Sequence, residues 1–475
     1  MLKFILLHNL CSYKLLRATL LITVSLAISS CASFYTRTQA VQNEIAKGNF
    51  EKADEQLAKN KKWKEGNHRV LWYMNRGVVS FMLGHHQESI NYFNKADYYI
   101  EDYSKSVGSE ALVLVSNPMA RPYKPEDFEA IMVHYYKALN FIAMGNFEGA
   151  LIECRRVNIK LQEFNEQYNE KKNRYARDAF AHNLIGIIYQ AAGDFNNAFI
   201  AYRNALEIYQ NDYTNLFGVE APLQLKKDLL YSAYRTGFHD EVNKYEEEFG
   251  ITVPDIDEKK GDVVLLWMNG LGPVKSEWSI NLTNAGTRDN YLIFHNEEMG
   301  FTFPLYIGNR SRQERSSFSD LSVLRVAFPK YVARNPIYFN AKIIANEKEK
   351  PLEKAQDINQ IAFQTLEDRM LREIGNNLLR LVTKQTMERA AQSQNEYLGT
   401  IVSLFNAFTE KADTRNWQSL PHSLYYTRIH LPEGAHQVDL IQQGARGESR
   451  EKIDVDIKRG KTTFKVHHQL EVQSR

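Results

Sequence analysis

The sequence predicts an α+β multidomain fold, in which an N-terminal α-solenoid is followed by a β-sandwich-like domain with a helical insertion. Three observations support this prediction. Glycines between positions 48 and 237 separate pairs of amphipathic helices, short β-branched and aromatic runs follow Gly250, and helical spacing interrupts those runs over residues 352–412. The chain has 475 residues and is 44% hydrophobic, which is enough for two or three ordinary domains.

The first 30 residues have the layout of an export signal. Basic residues without any acidic residue precede an apolar segment, residues 18–28, that is shorter than the ~20 residues needed to cross a bilayer as a helix. The tetrapeptide Ile28-Ser29-Ser30-Cys31 follows and resembles the lipobox of bacterial lipoproteins. The resemblance implies cleavage before Cys31 and acylation of that cysteine with chains such as palmitate. The alternative is a plain signal peptide with an incidental Cys31.

The predicted lipid anchor would be permanent, because two or more acyl chains make desorption negligible. The residue after the cysteine is Ala32 rather than Asp, which in similar lipoproteins favours the outer membrane, with the protein facing the periplasm. Residues 31–45 are expected to form a tether. Only Cys154 would remain as a free thiol, which excludes an intramolecular disulfide. Loss of three signal-peptide cations would change the formal charge from +2 to −1, so nucleic acid is not an expected partner.

A repeated pattern runs through residues 46–250. Three windows align on turn glycines, with small residues seven positions before and five positions after each glycine and a large residue nine positions after it. The predicted repeat-packing residues are Gly77, Gly84, Ala138, Gly145, Ala150, Gly186, Gly193 and Ala198. This pattern resembles the tetratricopeptide repeat (TPR), in which small residues let two helices cross closely. Weaker copies surround Gly48 and Gly237, so five helical hairpins of a TPR-like α-solenoid are predicted.

The predicted array carries insertions, because three of the four gaps between turn glycines exceed the ~34 residues of a regular repeat. The largest insertion, Tyr98 to Phe128, contains three prolines that oppose a long helix. An apolar loop of this length is usually functional or packed into the concave groove of the array, and the alternative is that it covers an exposed end of the core. We favour the covering interpretation, with Leu112, Val113 and Leu114 as the covering residues.

Strand patterns define a first β part at residues 261–346 and a second at 415–475, on either side of the helical insertion at 352–412. The second part is predicted to form two hairpins, of which the later one turns at Gly460. Neither β part has enough strands to cover its own edges. The two parts are therefore predicted to form one folded unit, 255–475, that folds without the repeats.

Four stretches carry a resemblance to a known family. They are the lipobox and residues 122–158, 261–277 and 411–434. Together they resemble an uncharacterised family of Gram-negative outer-membrane TPR lipoproteins, and the end of the chain is similar to the last strands of transthyretin-like or PEGA-type sandwich modules. The resemblance spans nearly the whole mature chain and implies TPR and β parts. The family brings no assigned catalytic activity.

The most suggestive local motif is a loop after an apolar strand, formed by Asn269, Gly270, Gly272, Pro273 and Lys275. Two glycines and a lysine suggest a phosphate-binding loop. The Walker and dinucleotide patterns are missing, however, and the next segment alternates as a strand does. A β-turn or bulge is the favoured interpretation, and a partner-binding loop is the alternative.

Sequence motifs for metal or cofactor binding are absent, so neither is expected. The histidine pairs 85–86 and 467–468 each lack an obvious third ligand. His134 and His182 recur at one repeat position, which predicts packing or hydrogen bonding between helices. A solvated helix face with ion pairs is expected for Glu148, Glu153, Arg155 and Arg156.

Two functions of different classes fit these patterns. The first is a scaffold without enzymatic activity, which binds envelope protein partners through its repeats in envelope assembly or in the regulation of cell-wall synthesis. The second is a hydrolase of envelope glycan with carboxylates in the C-terminal region. We favour the scaffold because the repeats support it directly, whereas no acid and base pair can be assigned.

Overall fold

The computed structural model describes residues 34–106, 119, 121–167, 173–254, 257, 259–288, 290–296, 301–306, 323–369 and 412–473. The signal peptide, Cys31, Leu112 to Leu114 and most of the predicted helical insertion lie outside the described residues.

The helices are α1 Phe34–Ala46, α2 Phe50–Lys59, α3 Lys61–Glu65, α4 Arg69–Met82, α5 His86–Ser106, α6 Asp127–Ala143, α7 Phe147–Gln167, α8 Ala179–Ala191, α9 Phe195–Ile208, α10 Thr214–Phe217, α11 Leu223–Thr236, α12 His239–Phe249 and α13, residues 358–369. The strands are β1 Gly261–Leu271, β2 Val274–Arg288, β3 Tyr291–Asn296, β4 Phe301–Tyr306, β5 Val323–Val332, β6 Tyr338–Ala345, β7 Lys348–Pro351, β8 Glu353–Asp357, β9 Pro421–Leu431, β10 Gly434–Gly444, β11 Gly447–Ile457 and β12 Thr462–Gln469.

Helical hairpins form at all five predicted turn glycines, pairing α1 with α2, α4 with α5, α6 with α7, α8 with α9 and α11 with α12. Each of these glycines has a positive φ between 72° and 82°. This left-handed conformation ends the first helix of each pair and is costly for residues with a Cβ atom. The first half of the chain is therefore an array of TPR-like helical pairs.

Small residues lie where the two helices of a hairpin cross. A Cβ atom added to Gly77 would lie 2.7 Å from the ring of Phe93, and one added to Gly186 would overlap the ring of Tyr202. Ala150 and Ala198 are fully buried at the equivalent crossings. The large residue of each repeat thus fills space that the small residue leaves open, which is the arrangement that the repeat pattern predicts.

The segment predicted as a tether is helical instead. Helix α1 begins at Phe34 and buries Phe34, Thr38, Gln42 and Ile45, which share one helix face. Phe34 also stacks on Trp63 with ring centroids 5.4 Å apart. The buried face is half polar, which hid its helical period in the sequence.

The strands form three four-stranded sheets. The first has the order β12-β1-β9-β8, the second β11-β10-β6-β7 and the third β4-β3-β2-β5. In the first sheet, β1 pairs with β12 in parallel and with β9 in antiparallel orientation. In the second, β6 pairs with β10. Both β parts of the sequence therefore contribute to the same two sheets and form one unit, called the β unit below, as predicted.

The first sheet lies between the repeats and the second sheet. Alternate residues of β1 divide between two cores: Val264, Leu266 and Met268 pack with the repeats, whereas Val263 and Leu265 pack with the second sheet. This explains why β1 is almost continuously apolar, since a strand buried on both faces does not alternate. The β unit and the helical repeats consequently share one core.

The two hairpins predicted near the C-terminus are wrong. Consecutive strands β9 and β10 lie in different sheets, and so do β11 and β12. The hairpin is formed by β10 and β11, whose ladder ends at the pair Gly444 and Gly447. Residues 423–429 of β9 are buried throughout, whereas buried and exposed residues alternate along much of β10. Strand β9 therefore belongs in a sheet that is covered on both faces, and β10 belongs in a sheet with one solvated face.

The predicted helical insertion begins later than expected. Residues 353–357 form β8, which pairs with β9, and α13 begins only at Ile358. Ile358 and Ile361 are buried, as their helical spacing indicated. The large insertion within the repeats is also partly regular, because Tyr98 lies within α5 and Phe128 within α6.

Candidate interaction site

The first helices of the hairpins form a surface, called the inner face below, that the β unit covers. All residues of α6 from Asp127 to Asn140 are buried. A helix that is buried on every side must be covered from two directions. Here α5 and α7 pack against one side, and the first sheet together with residues 412–420 covers the other.

Residues 412–420, called the inner segment below, lie against the inner face without regular secondary structure. The backbone N–H of Trp417 donates a hydrogen bond to Glu129 Oε1 at 2.6 Å. The Trp417 ring is fully buried and packs 6.0 Å from Phe93 and 5.9 Å from Tyr136. A helix side chain therefore holds the main chain of the inner segment, while a pocket between helices holds its largest side chain.

Two further polar contacts hold the inner segment on the repeats. Ser419 Oγ donates to Asn75 Oδ1 at 2.8 Å, and Thr38 Oγ1 donates to Gln418 Oε1 at 2.6 Å. All four side chains are buried. Because these groups satisfy each other away from water, they fix the position of the segment along α1 and α4.

Arg415 anchors the beginning of the inner segment. Its guanidinium donates to the carbonyl of Arg121 at 2.8 Å and pairs with Asp413 at 2.7 Å, and it lies 5.4 Å from the ring centroid of Tyr123. Burial would raise the pKa of Asp413, but the hydrogen bond and charge of Arg415 outweigh it and lower that pKa. Arg121 and Tyr123 of the predicted insertion thus contact the inner segment, whereas the predicted covering residues Leu112 to Leu114 lie outside the described residues.

A buried ion cluster joins α6 to the β unit. Glu126 is nine-tenths or more buried and pairs with both Lys275 and Arg369. Burial would raise its pKa, but the charges of Arg369 and Lys275 outweigh burial and hold the pKa at about 2. The neighbouring carboxyl, Glu129, accepts hydrogen bonds from neutral donors, and burial raises its pKa to about 7.

A second ion cluster joins α11 to the first sheet. Arg428 of β9 is fully buried, with its guanidinium 3.1 Å from Asp228 Oδ1 and 2.8 Å from Asp262 Oδ2. His430 also pairs with Asp262. Burial would raise the pKa of Asp262, but His430 and Arg428 lower it. Removing one member of such a cluster would leave an uncompensated buried charge.

A third cluster centres on Asp178, the residue before α8. Its carboxylate accepts hydrogen bonds from the hydroxyls of Tyr135 and Tyr175, from Gln356 Nε2 at 2.8 Å and from the backbone N–H of Ala181 at 2.7 Å. One carboxylate therefore caps a helix and ties the repeats to β8. Both carboxylate oxygens of Asp178 are thus occupied by protein donors, which suits fixed positioning of the junction.

The loop proposed as a partner-binding alternative is buried and forms the connection between β1 and β2. Asn269 Nδ2 donates to the Tyr338 carbonyl at 2.8 Å, and the backbone N–H of Gly272 donates to Leu420 O at 2.7 Å. Gly270 has φ 62° and packs against Pro336, where a side chain would not fit. The turn interpretation agrees with the structure, and an exposed binding loop does not.

The other two residues of that loop are also buried inside the molecule. The carbonyl of Pro273 accepts a hydrogen bond from Asn416 Nδ2 at 2.8 Å. Lys275 is only 5% exposed and belongs to the Glu126 ion cluster. The glycines and the lysine of this loop therefore help to form the junction between the repeats and the β unit.

Members of both histidine pairs contact protein groups. His86 Nδ1 lies 3.0 Å from Asn140 Oδ1, and His468 packs 5.5 Å from Phe81, where burial lowers its pKa to about 3. His467, on the opposite face of β12, lies 3.6 Å from Glu451. Over the part of the chain that the structure describes, histidine, cysteine and acidic side chains form no group of three suited to a metal ion.

The expectation of a solvated face for Glu153 is wrong. Glu153 is buried between helices, where its carboxylate lies 2.8 Å from His134 Nδ1 and 2.9 Å from Lys137 Nζ. Glu153 directly precedes Cys154, which occupies the large packing position of this repeat, so Glu153 also faces α6, the first helix of the hairpin. His134 makes the predicted interhelical hydrogen bond, whereas His182, at the same repeat position, is partly exposed.

The residues that bind the inner segment could not be identified from local sequence patterns. Trp417 and Glu129 lie 288 positions apart, and each is unremarkable within its own local pattern. The one available signal was a tryptophan among polar residues directly before a strand. Among the described residues, no helix has the length and apolar character that a membrane span requires.

No family model and no curated protein matches the sequence. Among solved structures, the chain is similar to MamA, with 15% identity over 46% of this chain and 92% of that chain and a TM-score of 0.28. It is also similar to a putative kinesin light chain with nearly identical TPR-like repeats from Podosopora anserina. The identity is 15% over 45% of this chain and 92% of that chain, and the TM-score is 0.30. A third similar structure is aspartyl phosphate phosphatase F from Bacillus subtilis, with 13% identity over 45% of this chain and 49% of that chain and a TM-score of 0.30. At these TM-scores the TPR-like assignment rests on the hairpins themselves.

Proposed function

We propose that the protein is a non-enzymatic scaffold lipoprotein that binds partner proteins at the bacterial envelope. In this proposal acylated Cys31 holds it at the outer membrane, facing the periplasm, and it serves envelope assembly or the regulation of cell-wall synthesis. The supporting observation is that the inner face already binds an extended polypeptide, the inner segment, through the contact of Glu129 with the Trp417 backbone. Stacked helical pairs are suited to holding polypeptides in this way.

Partner proteins would meet the second helices of the hairpins, because the chain itself fills the inner face. Ile152 and Ile159 on α7 are 46% and 55% exposed, and Ile200 on α9 is 40% exposed. Ile152 and Ile200 both follow their turn glycine by seven residues, so successive repeats present the same apolar position. A row of exposed apolar side chains supports an interaction surface more than single scattered ones do.

Photo-crosslinking in intact cells tests the scaffold. A photoreactive amino acid at position 152 or 200 should capture the same partner protein from both positions. The substitution Ile159→Asp should lower the yield at least severalfold, because it places a charge within the apolar row. Phe339→Asp, at a 55% exposed residue of the β unit, is the matched control and should leave the yield unchanged.

The anchor is tested in the same cells with Cys31→Ala. Loss of the acyl chains should move the protein out of the outer-membrane fraction and lower the yield of the adduct. A variant that matures normally and stays with the outer membrane would refute the anchor. Equal adduct yields from Ile159→Asp and Phe339→Asp, or no adduct from either crosslinking position, would refute the scaffold surface.

A further inference from the structure

A cavity of about 620 Å³ lies between α1 and the end of the β unit. One wall is a stripe of α1 with Tyr35, Gln39 and Asn43, which are four residues apart and so share a helix face, and it continues to Lys47. The opposite wall is formed by residues 333–337 and 471–473 together with Arg446. This volume is within the range of small-molecule sites.

Main-chain hydrogen bonds make the second wall firm. The backbone N–H of Gln473 donates to Asn335 O at 2.9 Å, and that of Ile337 donates to Glu471 O at 3.3 Å. The N–H of Ala445, next to Arg446, donates to Ile337 O at 2.9 Å. These three contacts join three separate stretches of the β unit, so the wall exists without a ligand.

Arg334 fixes the two walls relative to each other. Its guanidinium donates to Gln42 Oε1 of α1 at 3.2 Å, to Gly272 O at 2.6 Å and to Gln418 O. Arg334 lines the cavity and is only 5% exposed, so its positive charge adds to that of the rim from a buried position. The cavity is therefore preformed, which lowers the entropy cost of binding.

Positive charge and amide donors dominate the rim. Lys47 is exposed, and Arg446, 62% exposed, lies 3.8 Å from Glu471. The side-chain amides of Gln39 and Asn43 offer further donors from α1. Cations together with neutral N–H donors form a setting for phosphate oxygens, with one carboxylate against the two cations of the rim.

The cavity also lies close in the chain to the proposed acylation site. Tyr35 follows Cys31 by four residues, so the chain between their Cα atoms spans at most about 14 Å. If the protein is anchored as proposed above, on which this inference rests, the cavity lies within reach of the membrane headgroup layer. Anionic headgroups there attract exposed cations.

We propose that this cavity binds an anionic phosphate group and that phospholipid headgroups beside the anchor supply it. The acyl chains then hold the protein at the bilayer, and the bound headgroup fixes α1 against the membrane surface. A free phosphate compound has the same recognition chemistry, and the experiment separates the two sources.

The test uses the full mature chain produced without acyl groups, so that the result does not depend on acylation of Cys31. Co-flotation is measured with vesicles of equal parts phosphatidylcholine and phosphatidylglycerol and with vesicles of phosphatidylcholine alone. Binding to the anionic vesicles is expected to fall by at least about 30-fold in the double variant Lys47→Glu/Arg446→Glu, since each lost cation removes a factor of about five and the introduced carboxylates add repulsion.

The control variant Lys95→Glu/Lys458→Glu changes the net charge equally at two exposed sites outside the cavity. It should bind the anionic vesicles nearly as wild type does. Titration with inorganic phosphate, followed by phosphorus NMR, distinguishes the two sources of phosphate. If the wild type binds inorganic phosphate but not the vesicles, and only the cavity variant loses phosphate binding, the ligand is a free anion and the headgroup proposal is overturned. Equal losses in the two double variants, or no binding to vesicles or phosphate, would overturn the proposal.

Discussion

At the scale of single residues, Glu126 and Glu129 show how neighbours decide the state of a buried carboxyl. Both are buried and lie three residues apart: Glu126 is the N-cap residue of α6, and Glu129 lies in its first turn. Burial alone would raise the pKa of both carboxyls. At Glu126 the charges of Arg369 and Lys275 outweigh burial and hold the pKa at about 2. Glu129 is bonded to the hydroxyl of Tyr123 and to backbone N–H groups, and burial raises its pKa to about 7. Its charge therefore changes near neutral pH.

This difference makes stability depend on pH in a defined direction. The pKa of Glu129 is higher in the folded protein than its ordinary 4.5, so the folded state binds the proton more tightly. Stability from this residue is therefore fully present below about pH 4.5 and is lost as the pH rises through about 7. Replacing Glu129→Gln should remove that decline, because the amide does not titrate.

Urea unfolding at about pH 5 and about pH 7 measures the effect. The wild type should lose stability between these values by a few kcal/mol at most through this residue, and the Glu129→Gln variant should lose less. Glu148→Gln, at an exposed position of α7, is the matched control and should behave as wild type. A decline in Glu129→Gln as large as in wild type would contradict the assigned protonation.

At the scale of helices and strands, the sequence predicted what local patterns determine. A turn glycine and its small partner lie within one hairpin, so Gly84 and Gly77 were visible from spacing alone. Helix α1 was missed because Thr38 and Gln42 occupy buried positions where apolar residues are usual. The partners of β9 could not be predicted, since strand patterns show which faces are buried but not which distant strand supplies the hydrogen bonds.

The repeat register can be tested by overpacking one crossing. Ala198 of α9 is fully buried, so the substitution Ala198→Leu should strain the α8 and α9 hairpin and cost about 1–3 kcal/mol. Asn196→Leu, on the exposed side of the same helix, should change stability by less than about 0.5 kcal/mol. Thermal or denaturant unfolding of both variants measures this, and equal midpoints would show that the register is wrong.

At the scale of the whole molecule, the repeats and the β unit complete each other. The first sheet has two buried faces, one of which packs in a core shared with the repeats. Lys275 and Arg428 of the β unit pair with Glu126 and Asp228 of the repeats, and all four are buried. The sequence suggested separable domains because composition changes sharply near residue 250. The shared core shows that this change in composition does not mark a physical boundary.

The sequence predicts that residues 255–475 fold alone. The shared core leads to the opposite expectation, that this fragment needs the repeats. Without the repeats, an apolar sheet face would meet water. Lys275 would lose Glu126, and Arg428 would lose Asp228 while keeping Asp262 of β1. Each broken buried pair typically costs about 3–5 kcal/mol. We expect the isolated fragment 255–475 to show fast amide exchange in β1 and β9. The same strands should be protected when the fragment is produced together with residues 31–254, because association restores the core and the ion pairs. Slow exchange of β1 and β9 in the isolated fragment, matching the full chain, would show that the β unit is independent of the repeats.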